Sequence, residues 1–242
     1  MNSRMIWKHS RSVMQQFLDL LFPVHCAGCQ RIGHVLCPAC IGRIQPIPSP
    51  FCQLCGTPLF LDGICKNCQY HTLKLNGQRA VSFYQEPLRG CIHALKYDGN
   101  TRLAEPLGLL LAQAYTRYGM QADMLIPVPL HSERQQQRGY NHAALLAKVC
   151  SAQLGVPMND RVLVRHRATV AQVDLHPRER YQNVAGAFAC ATATAGGGVC
   201  GRRIVVIDDV STTSATLEAC AVPLFAAGAR EIWGLVLARP MV

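Results

Sequence analysis

Negative charge is scarce in this sequence. Its 242 residues carry 14 Asp and Glu against 24 Lys and Arg, a formal net charge of +10. Such a balance favours anionic partners: nucleotides, pyrophosphate, nucleic acid or an anionic membrane surface. It also fits a basic protein with no polyanion to bind. Long apolar runs are missing too. No stretch approaches the roughly 20 apolar residues of a spanning helix, so no transmembrane segment is expected. The nearest approach, Met5 to Phe22, is interrupted by Lys8, His9, Arg11 and Asp19. It has neither the apolar core nor the small-residue cleavage site of a signal peptide. Residues 1–22 therefore read as an N-terminal amphipathic helix packed on the rest of the protein, with a membrane-surface role as the alternative. A G-x-x-x-x-G-K-[ST] loop is absent. Gly196 and Gly201 have its spacing, but Arg202 and then a strand follow, the wrong order for a P-loop ATPase. Aromatics make up 7% of the chain, and only Tyr140, Tyr181 and Phe188 accompany its basic segments, which limits base stacking on nucleic acid.

Half of the residues are apolar and 16% are charged, an ordered, globular composition. The length suits one ordinary domain plus a small module. Thirteen cysteines, an odd number with no signal peptide, argue against a secreted disulfide framework and for the cytoplasm. Eight of them form four C-x-x-C pairs: Cys26/Cys29, Cys37/Cys40, Cys52/Cys55 and Cys65/Cys68. Each pair makes a knuckle that presents two thiolates to one ion, and two knuckles complete a tetrahedral Cys₄ zinc site. Two structural Zn²⁺ ions are expected over residues 23–70. Sequential pairing is the simpler assignment, and interleaved pairing stays open. Redox dithiols or an iron–sulfur cluster are the competing uses. So small a segment, poor in periodic structure, depends on its metal to fold. Cys91, Cys150, Cys190, Cys200 and Cys220 are scattered among apolar or small residues and read as core positions.

Residues 71–242 carry an α/β pattern. Ala80 to Tyr84 reads as a strand, Leu88 to Leu95 as a short helix and Ala104 to Tyr118 as a helix. Lys96 and Tyr97 precede the turn Asp98-Gly99-Asn100, where Lys96 either reaches an anion or is solvated. Met124 to Pro129 reads as a strand, His131 to Tyr140 as a loop holding Arg134, Arg138 and Gly139, and Asn141 to Leu154 as a helix ended by Gly155. A basic, glycine-containing loop after a strand is a candidate pyrophosphate site. Residues 159–190 form a second basic stretch with Arg165, Arg167 and Arg178.

The chain is organised around Arg203 to Leu217. Ile204 to Ile207 is an unbroken β-branched run, as in a parallel strand buried on both faces. Asp208 and Asp209 follow, then the small polar residues Ser211, Thr212, Thr213, Ser214, Ala215 and Thr216, then a helical pattern from Leu217. Ligands of open α/β sheets sit beyond the carboxyl ends of strands, and a helix N-terminus suits a phosphate. Phosphate on this loop would lay a sugar back toward the two carboxylates, which accept well from vicinal ribose hydroxyls. A buried strand ending in a solvated acidic turn is the plainer alternative.

This stretch resembles the phosphoribosyl pyrophosphate (PRPP) loop of the type I phosphoribosyltransferases. Ser214 stands where that loop usually has glycine, so a positive φ there would strain it. With LKYDGN, IPVPLHSERQQQRGYNHAALLA and RATVAQVDLHPRERYQNVAGAF in order before VVIDDVSTTSATL, and four knuckles in front, the chain resembles the ComF family. The resemblance implies a type I phosphoribosyltransferase-like parallel sheet flanked by helices, with a small zinc-ribbon module. It implies Mg²⁺–PRPP as ligand, and Asp208 and Asp209 as the catalytic, ribose-holding acids of a glycosyl-transfer enzyme. The 5′-phosphate would lie on residues 211–216 and the pyrophosphate on Arg134, Arg138, Gly139 and Lys96, with Arg165, Arg167 and Arg178 on a mobile closing loop. It also implies a part in DNA uptake and competence or in use of DNA as nutrient. A non-catalytic single-stranded-DNA-binding protein and a PRPP sensor on the same fold are the alternatives.

Overall fold

The eight clustered cysteines fold as two sequential groups. Cys26, Cys29, Cys37 and Cys40 form one, and Cys52, Cys55, Cys65 and Cys68 the other, with the sulfurs of each group within 4.8 Å of one another. The computed structural model in which they are seen describes residues 23–169, 176–191 and 198–241; the expected helix over residues 1–22 lies outside them. Helices α1 (Pro38–Arg43) and α2 (Lys66–Tyr70) each begin directly after a knuckle cysteine. The Cys37 amide donates to Cys26 Sγ and the Cys65 amide to Cys52 Sγ, both at 3.3 Å. The sulfurs of Cys29 and Cys37 lie 3.6 Å apart, as do those of Cys55 and Cys65. Four Zn–S bonds of about 2.3 Å in a tetrahedron would set sulfurs about 3.8 Å apart, so both groups fit a structural zinc. The thiols cannot all ionise without a cation. Burial and the neighbouring sulfurs push Cys40 and Cys68 far above the ordinary thiol range. Burial opposes ionisation of Cys26 and Cys55 as well, but backbone amides at Cys26 and the Thr57 contacts at Cys55 draw each down to about 6.

The larger part is an α/β layer structure. Strand β1 (Gly77–Phe83) leads to helix α3 (Leu88–Tyr97), a short 3₁₀ turn and helix α4 (Ala104–Arg117). Strand β2 (Met124–Pro127) follows. Helix α5 (Ser132–Arg138) then occupies the stretch expected to be a loop. The reason is local: SERQQQR contains no helix breaker and is rich in good helix formers, and Gly139 ends it in the left-handed region at φ 79°. Helix α6 (His142–Leu154) is capped by the Asn141 side chain and closed by Gly155 at φ 70°, as the pattern requires.

The basic stretch 159–190 is not a simple loop. Strand β3 (Leu163–Arg165) pairs antiparallel with β4 (Phe188–Cys190), and helix α7 (Pro177–Val184) lies between them. Leu163, Val184 and Phe188 are buried in the core, which is what gives the segment a fixed shape. Residues 170–175 and the Arg178 side chain lie outside what the structure describes. Strand β5 (Arg203–Val210), helix α8 (Ala215–Ala226) and strand β6 (Glu231–Arg239) complete the chain.

Among the described residues, the main sheet has the order β1-β6-β5-β2 with every pairing parallel. Strand β5 is thus central and buried on both faces, as its β-branched run requires. Val205 and Ile207 point into a core built with α3, α4 and α6. Ile204 and Val206 point into the opposite core, with Leu217, Cys220, Ala221 and Leu224 of α8. This is the parallel sheet flanked by helices that the sequence led us to expect. Of the scattered cysteines, Cys91, Cys150 and Cys220 are buried core residues, but Cys190 is half-buried and Cys200 is exposed. Cys200 lies in the turn before β5 rather than under a helix, so its small size gave the wrong impression.

The cysteine module is divided between the two cores. Cys26, Cys37 and Cys40 belong to the first, and Cys52, Cys55 and Cys68 to the second. Arg79 fastens it further. Its guanidinium stacks on Phe51, Tyr118 and Trp233 at 5.1, 5.7 and 4.9 Å, and donates to the Gln53 carbonyl at 2.9 Å. Metal loss should therefore loosen the whole protein rather than the module alone. We expect a strong chelator to release two zinc ions per chain and to lower the melting temperature of the entire cooperative unfolding transition, with Cys26→Ser and Cys52→Ser doing the same singly. Metal analysis alongside calorimetric melting checks this; an unchanged main transition in the stripped protein would contradict it.

Candidate functional site

Asp208 and Asp209 end the buried part of β5, so the sheet carries two adjacent carboxylates into its interior at its carboxyl edge. The backbone supplies some of their hydrogen bonds. The Asp209 amide donates to Asp208 Oδ1 at 2.9 Å and the Val210 amide to Asp209 Oδ1 at 2.7 Å. Side chains from two other elements face them. Lys96, in the last turn of α3, places Nζ 2.5 Å from Asp209 Oδ2. His142, the first residue of α6, points Nε2 at Asp209 Oδ2 from 3.6 Å and at Asp208 Oδ1 from 3.9 Å. Arg138, at the end of α5, approaches the other ring nitrogen, Nδ1, at 2.8 Å.

The two acids are perturbed in opposite directions. Burial and the Asp209 charge push Asp208 up to about 6. Burial also opposes ionisation of Asp209, but Lys96 and His142 outweigh it and hold that carboxyl far below the ordinary range. Burial disfavours the Lys96 cation too, and the Asp209 charge more than restores it. Lys96 was expected to reach a pyrophosphate; here it reaches a carboxylate.

The loop after β5 is short and shaped by one residue. Helix α8 starts two residues earlier than its periodicity suggested, at Ala215, which places Ala215 and Thr216 in its first turn. Ser214 precedes it in the left-handed region, φ 68° and ψ −2°, so the position that glycine would suit does have positive φ. The Ser211 hydroxyl is committed elsewhere: it donates to Gln78 Oε1 of β1 at 2.8 Å. Thr212 is exposed and its Oγ1 accepts from Arg180 Nη1 at 2.7 Å. Thr213 lends its carbonyl to the Tyr181 hydroxyl, while its buried Oγ1 has no partner among the described residues.

A basic cleft lies beside the acids. A cavity of about 430 Å³ is lined by Lys96, Tyr97, Arg134, Arg138 and Tyr140 among others. Gly139 follows as the end of α5. Arg134 donates to the Thr169 carbonyl at 2.9 Å, and Arg138 stacks on the Tyr97 ring at 5.5 Å. Arg165 stacks on Phe188 at 5.4 Å and bonds the Thr169 hydroxyl. Arg167 is turned to another task, donating to the Asn183 and Ala185 carbonyls at 3.0 and 2.7 Å and so covering the C-terminal end of α7. The structure thus brings Lys96, Arg134, Arg138, Asp208 and Asp209 to one place, with residues 211–216 at its edge, and leaves Arg167 outside it.

Two functional groups escaped the sequence reading. The only signal of His142 was its place directly after R-G-Y-N, at the start of a helix. Glu218, 2% exposed on α8, had none. Its carboxylate accepts from the Tyr181 hydroxyl at 3.3 Å and the Lys74 amide at 3.4 Å, and lies 3.2 Å from His71 Nε2. It therefore ties the end of the cysteine module to the residue that holds the Thr213 carbonyl.

The chain is similar to several known proteins. Residues 17–69 match the model of the double zinc ribbon domain. The chain is 32% identical over 224 residues to competence protein F of Haemophilus influenzae, covering 89% of this chain and 96% of that protein. It is 30% identical over 213 residues to the DNA utilization protein YhgH of Escherichia coli, covering 84% and 91%. It is 25% identical to competence protein ComFC of Bacillus subtilis over 76% and 75% of the two chains. Among solved structures, glutamine PRPP amidotransferase from B. subtilis aligns with a TM-score of 0.40 at 19% identity, over 60% of this chain and 30% of that one. A purine phosphoribosyltransferase from Pyrococcus horikoshii aligns with a TM-score of 0.33 at 19% identity, over 55% and 80%.

The two acids should respond oppositely to neutralisation. The shift of Asp208 from 3.8 to about 6 means that its ionised form costs stability above pH 6, of order 3 kcal/mol, and that this cost fades as pH falls from 6 toward 4. Asp208→Asn should therefore raise stability at pH 8 and lose that advantage near pH 4. Asp209→Asn should lower it by about 1–3 kcal/mol at pH 8, because it takes the carboxylate from the half-buried Lys96 cation. Denaturant titrations at both pH values check the pair; equal effects of the two substitutions would refute the division of roles. Ser214→Gly should stabilise by about 0.5–1 kcal/mol. It relieves about 1–2 kcal/mol of left-handed strain and loses part of that to the more flexible unfolded chain. The same titrations would show a destabilised variant if the strain were absent.

Proposed function

The chain belongs to the ComF family, and from that premise we propose that it binds PRPP with Mg²⁺ and serves DNA uptake or the use of imported DNA. The observation that carries the ligand assignment is the position of the buried Asp208–Asp209 pair, between the loop of residues 211–216 on one side and the cleft of Lys96, Arg134 and Arg138 on the other. PRPP has the matching order of parts: a 5′-phosphate, a ribose with two vicinal hydroxyls, and a pyrophosphate on C1. The first turn of α8 and the unpaired Thr213 hydroxyl suit the 5′-phosphate. The two carboxylates accept from the ribose hydroxyls. The cationic cleft takes the pyrophosphate, with Gly139 leaving its rim free of a side chain. Mg²⁺ would neutralise the pyrophosphate oxygens.

Such a site can also do chemistry. In a phosphoribosyl transfer the bond from C1 to the pyrophosphate oxygen breaks, that electron pair leaves with pyrophosphate, and a nitrogen nucleophile closes on C1. Positive charge on Lys96, Arg134 and Arg138 favours the departing pyrophosphate, and Asp208 and Asp209 favour a ribose ring that is becoming cationic. Arg165 and Arg178 belong to the segment that would approach a bound ligand; Arg167, on the C-terminal end of α7, is better read as holding that segment together. The competence and DNA-utilization names of the relatives, with the net charge of +10, favour work beside single-stranded DNA, and a cytoplasmic place of action is part of the proposal. Among the described residues no helix is long and apolar enough to cross a membrane.

Calorimetric titration of the zinc-loaded protein with PRPP, with and without Mg²⁺, tests this. Binding should require Mg²⁺ and should weaken about 100-fold or more in the Asp208→Ala/Asp209→Ala variant, which loses charge-assisted hydrogen bonds to two hydroxyls. The same variant should bind single-stranded DNA as well as the wild type or better, since it removes negative charge. Absence of binding at millimolar PRPP would eliminate both the enzyme and the sensor, and leave a DNA-holding protein.

A further inference from the structure

The tautomer of His142 is fixed by its partner. A guanidinium has no lone pair to offer, so Arg138 can only donate, and the His142 Nδ1 that it meets at 2.8 Å must accept. The ring is then neutral with its hydrogen on Nε2, aimed at the carboxylates of Asp208 and Asp209. His142 is 5% exposed. Lys96, which lines the cleft and lies 2.5 Å from Asp209 Oδ2, is a second side chain that joins the cleft to the acids. His142 stands between the group proposed to hold pyrophosphate and the groups proposed to hold ribose.

The charges around the ring are balanced. Arg138 of α5, in contact with Nδ1, opposes a second proton, and so does the positive end of helix α6, of which His142 is the first residue. Asp208 and Asp209 of β5 favour it. Lys96 of α3 offsets part of the Asp209 charge, and Arg165 of β3 offsets part of that of Asp208. A pyrophosphate in the cleft would draw the Arg138 guanidinium onto its own oxygens. That removes the cation from Nδ1, frees the lone pair and adds anionic charge nearby. Every change runs in one direction.

We propose that His142 is a proton-linked positioning residue, which takes up a proton on Nδ1 from solvent when Arg138 turns to the pyrophosphate, and as imidazolium draws Asp208 and Asp209 into place for the ribose. The inference rests on the PRPP reading above and assigns it a coupling: occupation of the pyrophosphate cleft is reported to the ribose acids through the His142 ring. Pyrophosphate without ribose should already trigger it.

The test follows the ring nitrogens directly. In ¹⁵N spectra of the full-length zinc-loaded protein at pH 7, with the His142 signals assigned by their loss in His142→Gln, the free protein should show an unprotonated Nδ1 and a protonated Nε2. Addition of Mg²⁺ with pyrophosphate, or Mg²⁺ with PRPP, should protonate both. In Arg138→Met the ring should be doubly protonated before any ligand is added, a change that a merely structural role would not produce. Titrations in buffers of different ionisation enthalpy should show more proton uptake on PRPP binding by the wild type than by His142→Gln. Because binding takes up a proton, the wild-type affinity should fall as pH rises, by at most about tenfold per pH unit, with a flatter profile in the variant. PRPP binding with His142 still neutral, and with equal proton uptake by the two proteins, would overturn the coupling and leave the PRPP site standing. Failure of both PRPP and pyrophosphate to bind would remove the site itself and the coupling with it.

Discussion

Two carboxylates buried side by side at the end of a strand cannot both stay charged unless cations or donors are brought to them. At an effective dielectric of about 20, charges about 4 Å apart interact by about 4 kcal/mol, comparable with the whole stability margin of many domains. Asp208 and Asp209 set that requirement, and the surrounding elements meet it. Helix α3 ends where Lys96 can reach Asp209, and α6 begins where His142 can face both acids. Helix α5 stops at Gly139, which leaves Arg138 against the far side of that histidine. The balance is partial, since Asp208 is pushed up while Asp209 is held down. A protein optimised for stability alone would not keep such a pair in its central strand.

The cysteine module also bears on this site. Two polar paths run from the second Cys₄ group to the loop after β5. In one, the Cys55 carbonyl accepts from Gln78 Nε2 at 3.3 Å, and Gln78 Oε1 accepts from Ser211. In the other, the segment leaving Cys68 brings His71 and the Lys74 amide to Glu218, which shares Tyr181 with the Thr213 carbonyl. Arg239 at the end of β6 adds bonds of 2.7 Å to the Cys55 carbonyl and 2.6 Å to the Thr57 hydroxyl. The ribbon is therefore part of the scaffold that fixes the loop, with Ser211 joined to it through Gln78.

Much of the frame was legible in the sequence because its signals are local. The run Ile204 to Ile207 marks a strand buried on both faces, and the structure places it in the centre of a parallel sheet. The knuckles are read from spacing, and Asn141 with Gly155 bracket α6 as cap and stop. Errors arose where local propensity was overlooked or tertiary burial intervened. SERQQQR was read for its charges and not for its helix formers. The basic stretch 159–190 acquired a ribbon and a helix because Leu163, Val184 and Phe188 find a core that the sequence does not display.

By itself the sequence determined the main strands and long helices, the eight cysteine donors, the acid pair at the end of β5 and the position at Ser214 that glycine would suit. Each depends on residues within a few positions of one another, where periodicity, spacing and backbone preference act. The tertiary structure alone decided who meets whom. It brought Lys96 to the Asp209 carboxylate, set His142 between Arg138 and the acids, and joined Ser211 to Gln78. It also turned Arg167 away to the end of α7 and paired the knuckles in sequence. Apart from Arg138 with His142, four residues apart, and the paired knuckles, these contacts span more than ten residues of chain. They are fixed by parallel strand register and helix packing, and no local pattern encodes them.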